Sequence, residues 1–470
     1  MKIERLLSSM ALAMLATVSL NVHAASVSVA DARMAANNFL KQNVAGKSFK
    51  APALADIRLV YTQASRVEGN AYYVFNIQGG GWIIMAGDDC AKPVLAYGNM
   101  GNISMTELPD NMKGYLHMLK GQIETAQAYK GKTVPVQAAK RSTAIEPLLK
   151  TNWGQGEPLN RQCPMNGQYR TSVGCGPLAM AQIMYYWKYP AQVEEVPGYS
   201  ISWSQYMSPL PATTFDYDLI LDSYHIYNPE TGGISLGTFT DEEASEVAKL
   251  CRYCGQACKA RYGNSGNTGT GSYTYDQRDA FKLFGYNENM QLIGKDPSYY
   301  CANSTKYSLE EWAALICTEL EAGRPIPYHD LYEGHAWVLD GVDTEGRFHM
   351  NWGFYGKFNG WWELNALAFH PNDDDEVWDF SQGSNGGNEM IIGMFPYEGY
   401  VIPGDEPTSL RGDVNKDGNV NISDVTTLID YLLSQNADGL DLEAADCDQN
   451  GNVNISDVTS LIDYLLSQSW

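Results

Sequence analysis

The sequence predicts an α+β protein in three folded parts. A small α+β domain leads, a central domain follows with a helical half and then an antiparallel β half, and a small all-α module ends the chain. Three observations predict this. Helical patterning between Cys175 and Ala322 gives way after Pro325 to short strand-like runs separated by Gly and Asp. A 12-residue Asp/Asn-rich segment starting at Asp413 recurs at Asp446, and each copy leads into an apolar helix. A basic stretch, Lys130 to Arg141, interrupts an otherwise acidic chain and divides the first domain from the second.

Size and charge set the limits. At 470 residues and 44% hydrophobic composition the chain can bury at least one large core. A net charge of −23 argues against nucleic acid and anionic membrane surfaces as partners. The first 24 residues read as a secretory signal: Lys2 and Arg5, an apolar core from Leu6 to Leu20, and Val22-His-Ala24 as a cleavage site. No cysteine follows for lipid attachment, and no later apolar run approaches a membrane span, so a secreted protein without a membrane anchor is expected.

Residues 25–140 read as the first domain. Val29 to Asn43 forms an amphipathic helix, with Ala32, Ala35, Ala36 and Phe39 on one face. Strands follow at Ile57–Tyr61, Ala71–Ile77, Trp82–Met85 and Pro93–Tyr97, then a helix from Leu108 to Tyr129. No His, Cys or carboxylate cluster gives this domain chemistry of its own. The connector from Lys130 to Arg141 suits proteolytic nicking.

Residues 141–397 read as the central domain. Gly174 and Gly176 bracket Cys175, Pro177 follows in the first turn, and an almost wholly apolar helix runs on to Pro190. A second helix, Asp241 to Cys258 with Asp241 as N-cap, carries Cys251, Cys254 and Cys258 on one face. That spacing fits core packing better than a zinc site, which lacks an evident fourth ligand. A third helix, Ser308 to Ala322, opens on a capping box of Ser308 and Glu311. Strands then fall at Ile326–His329, Ala336–Asp340, Arg347–Trp352, Gly360–Leu364 and Met390–Phe395.

A cysteine at a helix N-terminus sits where the macrodipole and free N–H groups favour the thiolate. Such a nucleophile needs a histidine to hold the thiolate and protonate the leaving group. His335, opening a strand after Gly334, is the best placed, with His349 as its competitor. Asn351 and Trp352, at the end of the following strand, could orient and shield an imidazole. Gln155, after Trp153-Gly154, could donate to a developing oxyanion.

Together, Gln155 in its Trp-Gly-Gln context, Val173-Gly-Cys with Ala179-Met-Ala-Gln-Ile-Met, Gly334-His-Ala-Trp-Val-Leu-Asp-Gly and His349-Met-Asn-Trp-Gly resemble the streptopain family of papain-like cysteine peptidases. The resemblance runs from about Ser26 to Tyr397, because the first domain resembles that family's inhibitory propeptide. It implies a papain-like fold, Cys175 as nucleophile, His335 as general base and acid, Gln155 as oxyanion donor, and Asn351 and Trp352 as supports of the histidine. It implies protein or peptide substrates, with the propeptide as an internal inhibitor. The family's Trp-Gly-Trp-Gly-Gly run reads Trp352-Gly-Phe-Tyr-Gly356 here, and Gly176-Pro177 stands where Val-Ala is common. The acidic and Gly-rich loop from Asp373 to Gly387 matches a mobile loop beside the active site, or is simply solvated. Two other readings remain open: the same Cys–His chemistry on cell-wall peptide amides, and a non-catalytic adhesin or scaffold subunit.

Residues 398–410 read as a linker and 411–470 as the final module, which holds 11 carboxylates against 2 basic residues. A hard cation takes several oxygen ligands, and an EF-type loop supplies them from positions 1, 3, 5, 7, 9 and 12 around a glycine at 6. Here those are Asp413, Asn415, Asp417, Asn419, Asn421 and Asp424 with Gly418, then Asp446, Asp448, Asn450, Asn452, Asn454 and Asp457 with Gly451. Position 12 is Asp, and no entering helix precedes the first loop. The duplicated pattern resembles a type I dockerin module, which implies structural Ca²⁺ and a cohesin-type partner.

Overall fold

The computed structural model describes residues 25–44, 52–108, 110–128, 133–135, 141–202, 205–228, 232–265, 269–295, 307–330, 334–364, 369–371, 388–396, 410–416, 419–437 and 439–467. The signal segment, Asp417 and Gly418, the acidic loop from Asp373 to Gly387 and Lys140 lie outside them. The chain divides into two bodies, one reaching Phe395 and one formed by the C-terminal module.

Ten antiparallel strands form one sheet in the first body. They are β1 (Ile57–Ala64), β2 (Asn70–Ile77), β3 (Trp82–Ala86), β4 (Val94–Gly98), β5 (Gln291–Gly294), β6 (Ile326–Asp330), β7 (His335–Val342), β8 (Phe348–Asn351), β9 (Gly360–Trp362) and β10 (Asn388–Ile392). Their order is β1-β2-β3-β4-β9-β8-β7-β6-β10-β5. The first domain's meander is therefore joined edge to edge with the sheet of the central domain. The joint is β4 on β9, with Tyr97 opposite Trp361 and Ala96 opposite Trp362.

All eight residues of β7 are buried, as expected for a central strand covered on both faces. Helices α1 (Val29–Phe39) and α2 (Asp110–Ala128) take opposite faces of the first-domain strands. Ala32 and Ala36 of α1 pack on Phe75 and Ile83. Leu116, Leu119 and Ile123 of α2 share a cluster with Trp337, Trp352 and Trp362 of the central strands, and with Trp312 and Ile316 of a later helix.

The helical half holds α3 (Cys175–Trp187), α4 (Asp241–Ala257), α5 (Thr274–Leu283) and α6 (Leu309–Glu321). Cys251, Cys254 and Cys258 are fully buried, and the Cys254 sulfur meets that of Met184 on α3 at 3.4 Å. The stripe is a helix-packing face. Two expectations shift. The N-cap of α4 is Thr240, which closes a capping box with Glu243, because its hydroxyl reaches the third helical N–H while Asp241 already lies inside the helix. The first helix ends at Phe39 and continues as a wider turn to Val44. Helix α5 has no counterpart among the expected elements, since its largely polar sequence lacks a clear apolar period.

The second body contains α7 (Ile422–Ser434), α8 (Leu442–Ala445) and α9 (Ile455–Ser467). Its core pairs equivalent residues of the repeat, Val425 with Val458 and Leu428 with Leu461, against Val414, Ala445 and Cys447. Two copies thus build one core that neither could bury alone.

Candidate active site

Cys175 is the first residue of α3 because Gly174, at φ +95°, turns the chain sharply and its carbonyl accepts the first helical bond from Leu178 at 3.0 Å. Gly176 is required by crowding: a Cβ there would fall 2.2 Å from the Ser272 hydroxyl and 2.4 Å from Gln277 Nε2. The glycine at 176, where the family often has Val, thus follows from what lies beneath the helix. Cys175 as a residue remains partly accessible.

Electrostatics single out this cysteine. Burial pushes its thiol up, but the charge of His335, a hydrogen bond from that ring, and the N–H groups of Ala336 and Gly176 together pull it below the ordinary thiol value. The other seven described cysteines all go the other way through burial, with Cys163, Cys258 and Cys447 pushed up to about 12.

His335 opens β7 after Gly334, whose N–H bonds the Asp330 carbonyl at 3.0 Å. Its Nε2 lies 3.3 Å from the Trp352 carbonyl. A carbonyl can only accept, so Nε2 carries the proton and Nδ1 is left as the basic nitrogen. Trp337 and Phe354 lie nearly parallel to the imidazole, at 6.2 Å and 5.5 Å. The aromatic position altered in Trp352-Gly-Phe-Tyr-Gly356 therefore still supplies a ring to the histidine.

The other expected residues occupy graded positions. Trp352 meets His335 through its backbone, while its indole stacks on Trp337 at 4.7 Å. Asn351 is buried, but its amide donates to the Thr151 carbonyl at 2.8 Å and accepts from Gly353 N–H at 3.2 Å. Its bonds thus shape the 351–353 turn, and the acceptor on the imidazole is the Trp352 carbonyl. The Gln155 carbonyl accepts from Val173 N–H at 3.0 Å, tying its loop to the turn into Cys175. His349 instead bonds buried Asp340 at 2.6 Å and meets Trp361 edge-on.

Sequence reasoning missed His329, which lies opposite Ala336 on β6 with Nδ1 2.5 Å from the Thr274 hydroxyl. Burial and the neighbouring His335 push it down to about 4, so it stays neutral. Its alternation with Pro327 in a short apolar strand gave no hint of this pairing. Sequence reasoning also missed how the first domain touches the site. Tyr115 of α2 packs edge-on against Trp352 at 5.7 Å and bonds the Glu363 carbonyl. Lys92 pairs with buried Glu363 at 2.6 Å, while Arg347 stands 3.6 Å from the same carboxylate.

In the second body Asp424 and Asp457, both fully buried, serve equivalent roles. Asp424 accepts from the N–H groups of Asn415 and Asn421, and Asp457 from those of Asp448 and Asn454. Carboxylate oxygens of Asp446, Asp448 and Asp457 lie within 4.8 Å of one another, a donor set that fits a hard divalent cation. Asn450, Asn452 and Asn454 line the same loop in successive side-chain turns, each Asn450 and Asn452 N–H meeting the side chain two residues before. Asp413, Asn415, Asn419 and Asn421 stand at the matching positions of the first loop.

Three family models match the chain. Residues 153–362 match the Peptidase C10 family, residues 24–123 the Spi protease inhibitor, and residues 411–466 the Dockerin type I domain. The chain is 28% identical over 364 residues to the thiol protease/hemagglutinin PrtT of Porphyromonas gingivalis, covering 74% of this chain and 39% of that one. It is 25% identical over 365 residues to streptopain of Streptococcus pyogenes, covering 72% of this chain and 84% of that one. A solved fragment of Prevotella intermedia prointerpain A aligns with a TM-score of 0.55 at 25% identity, over 73% of this chain and 99% of that one.

Proposed function

We propose that this chain, a C10-type cysteine protease with an inhibitor-type prodomain and a dockerin, is a secreted endopeptidase made as a zymogen, with Cys175 and His335 as its dyad. The observation that carries the residue assignment is the contrast among thiols: Cys175 alone of the described cysteines is lowered, and His335 is the partner that lowers it.

The chemistry follows from that pair. The Cys175 thiolate adds to the scissile carbonyl, and the negative charge gathers on the oxygen, facing the start of α3 and the Gln155 amide. His335, protonated at Nδ1, gives its proton to the leaving amine as the C–N bond breaks, forming the acyl-enzyme. Water then attacks while His335 takes a proton from it, and the thiolate leaves with the new carboxylic acid released. Trp352 holds the imidazole through its carbonyl, and Asn351 holds the turn that presents that carbonyl.

Residues 25–140 would act as the inhibitory prodomain, released by cleavage near Lys140-Arg141. Arg141 suits the start of the mature enzyme, since its N–H bonds the Thr344 carbonyl at 3.0 Å and its guanidinium pairs with Glu321 at 2.5 Å. Secretion rests on the signal-like first 24 residues. Among the described residues no helix is long and apolar enough to cross a membrane. Ca²⁺ in the two C-terminal loops would order the module for a cohesin-type partner, and protein substrates follow from the peptidase chemistry.

The test is a Cys175→Ala variant assayed for self-processing and casein hydrolysis, with purified cell wall as a parallel substrate. Accumulated full-length precursor with no casein cleavage is expected. A variant that matures and digests casein like the wild type would sink the proposal, and wild-type cleavage of cell wall alone would favour an amidase.

A further inference from the structure

Gln155 sits in a loop, Trp153 to Glu157, and a residue from the other half of the fold grips that loop on both sides of it. Tyr355 N–H donates to the Trp153 carbonyl at 2.8 Å, and the Tyr355 hydroxyl stands over Gly156. Its ring lies directly on Gly154: a Cβ there would come within 2.2 Å of ring carbon Cε1, and one on Gly156 within 2.7 Å of the hydroxyl. The two glycines that flank Gln155 are thus the seat of this side chain. A sequence pattern that looked like mere loop flexibility is a socket.

Two further observations suit a dedicated brace. Tyr355 holds φ +59°, a left-handed conformation that favours glycine, and glycine is what the family pattern Trp-Gly-Trp-Gly-Gly has at this place. A strained tyrosine persists where its side chain has work that glycine cannot do. Behind it, the His225 ring stands 4.3 Å away, tilted by 57°, and it also faces the backbone of Glu157. The loop is held from Trp153 to Glu157 by these two rings, and from the Cys175 side by Val173.

The same short turn reaches both halves of the chemistry. At one end the Trp352 carbonyl holds His335, and three residues later Tyr355 holds the Gln155 loop. We propose that Tyr355, backed by His225, is a positioning residue that fixes the Gln155 amide against the oxyanion in this enzyme. This rests on the reading of Gln155 as oxyanion donor.

The experiment compares Tyr355→Gly, Tyr355→Phe and Gln155→Ala, singly and with Tyr355→Gly in the Gln155→Ala background. Full-length precursors are matured by immobilised wild-type enzyme and assayed for kcat and KM on one peptide substrate. Removing an oxyanion donor costs about 100–1,000-fold in kcat, and misplacing one about 100-fold. Tyr355→Gly, whose backbone suits the site, should lower kcat by about 10–100-fold with KM within about twofold, and Tyr355→Phe should recover most of that loss. Alkylation of Cys175 by iodoacetamide, which needs no oxyanion donor, should stay at the wild-type rate. In the Gln155→Ala background, Tyr355→Gly should cost almost nothing more. An equal loss in that background, a rise in KM at unchanged kcat, or a slowed alkylation would overturn the proposal for Tyr355 alone. Should Gln155→Ala itself leave kcat unchanged, the oxyanion reading fails first, and the proposal with it.

Discussion

The indole of Trp82 lies 5.1 Å from that of Trp362, across the joint between the first-domain strands and the central-domain sheet. Trp362 in turn meets Trp352, the residue whose carbonyl orients His335, at 5.4 Å. Release of the prodomain should therefore wet Trp362, and tryptophan emission should shift to the red as maturation proceeds. Trp82→Ala removes a fully buried indole and should destabilise the precursor by about 3–5 kcal/mol. Denaturant melts of the Cys175→Ala precursor with and without this change would show it, and an unchanged midpoint would contradict the packing argument.

Lys92 is the prodomain's cation on Glu363, a carboxylate that burial pushes up in spite of Lys92 and Arg347. Lys92→Ala leaves that carboxylate buried with only the more distant Arg347. Truncating one member of such a pair costs about 2–5 kcal/mol, so prodomain binding should weaken by at least about 30-fold. Maturation should accelerate, read as the half-time for loss of the precursor band. A variant that matures at the wild-type pace would mean that the pair contributes nothing net.

His335 is the largest influence opposing burial at Cys175. In His335→Ala burial is opposed only by the Ala336 and Gly176 N–H groups, so the thiol should rise and the thiolate form only at higher pH. The midpoint of iodoacetamide alkylation against pH should move up. The rate at pH 7 should fall, because less of the thiol is ionised there. An unmoved midpoint would show that the helix start alone sustains the thiolate.

The second C-terminal loop gathers acidic oxygens whose mutual repulsion a divalent cation would relieve. In the full-length Cys175→Ala protein, Ca²⁺ should raise the melting temperature of the C-terminal body and chelation should reverse it. Asp457→Ala should abolish one of two calorimetric binding events. Two events surviving that change would exclude Asp457 as a ligand.

The sequence carried most of the local placement and less of the assembly. Cys175 at a helix start and His335 at a strand start were legible because Gly174, Gly176 and Gly334 punctuate the chain beside them. The capping box of Ser308 and Glu311 and the repeat in the C-terminal module were legible for the same reason, since their signals are local. The Trp352 carbonyl as the imidazole's acceptor was hidden, because any residue has a carbonyl and only the turn aims it. The brace from Tyr355 to Gly154 was hidden because 201 residues of chain separate them. The joining of β4 to β9 left no trace either. Each strand shows its own alternation, and the choice of neighbour is made by backbone groups that every sequence shares.

That joint bears on how the protein is made. Strands β1 to β4 form a meander of short-range pairs, and they leave the ribosome first. Among the central strands β6 to β9 also pair in sequence order, but β10 pairs over longer distances, with β6 and with β5 from the other side of α6. By the time β9 emerges, an ordered edge at Val94–Gly98 can already receive it. We hypothesise that the N-terminal domain is a mould for the enzyme as well as its restraint. Residues 141–470 expressed alone should then refold poorly unless residues 25–140 are supplied in trans, and equal recovery without them would dismiss the idea.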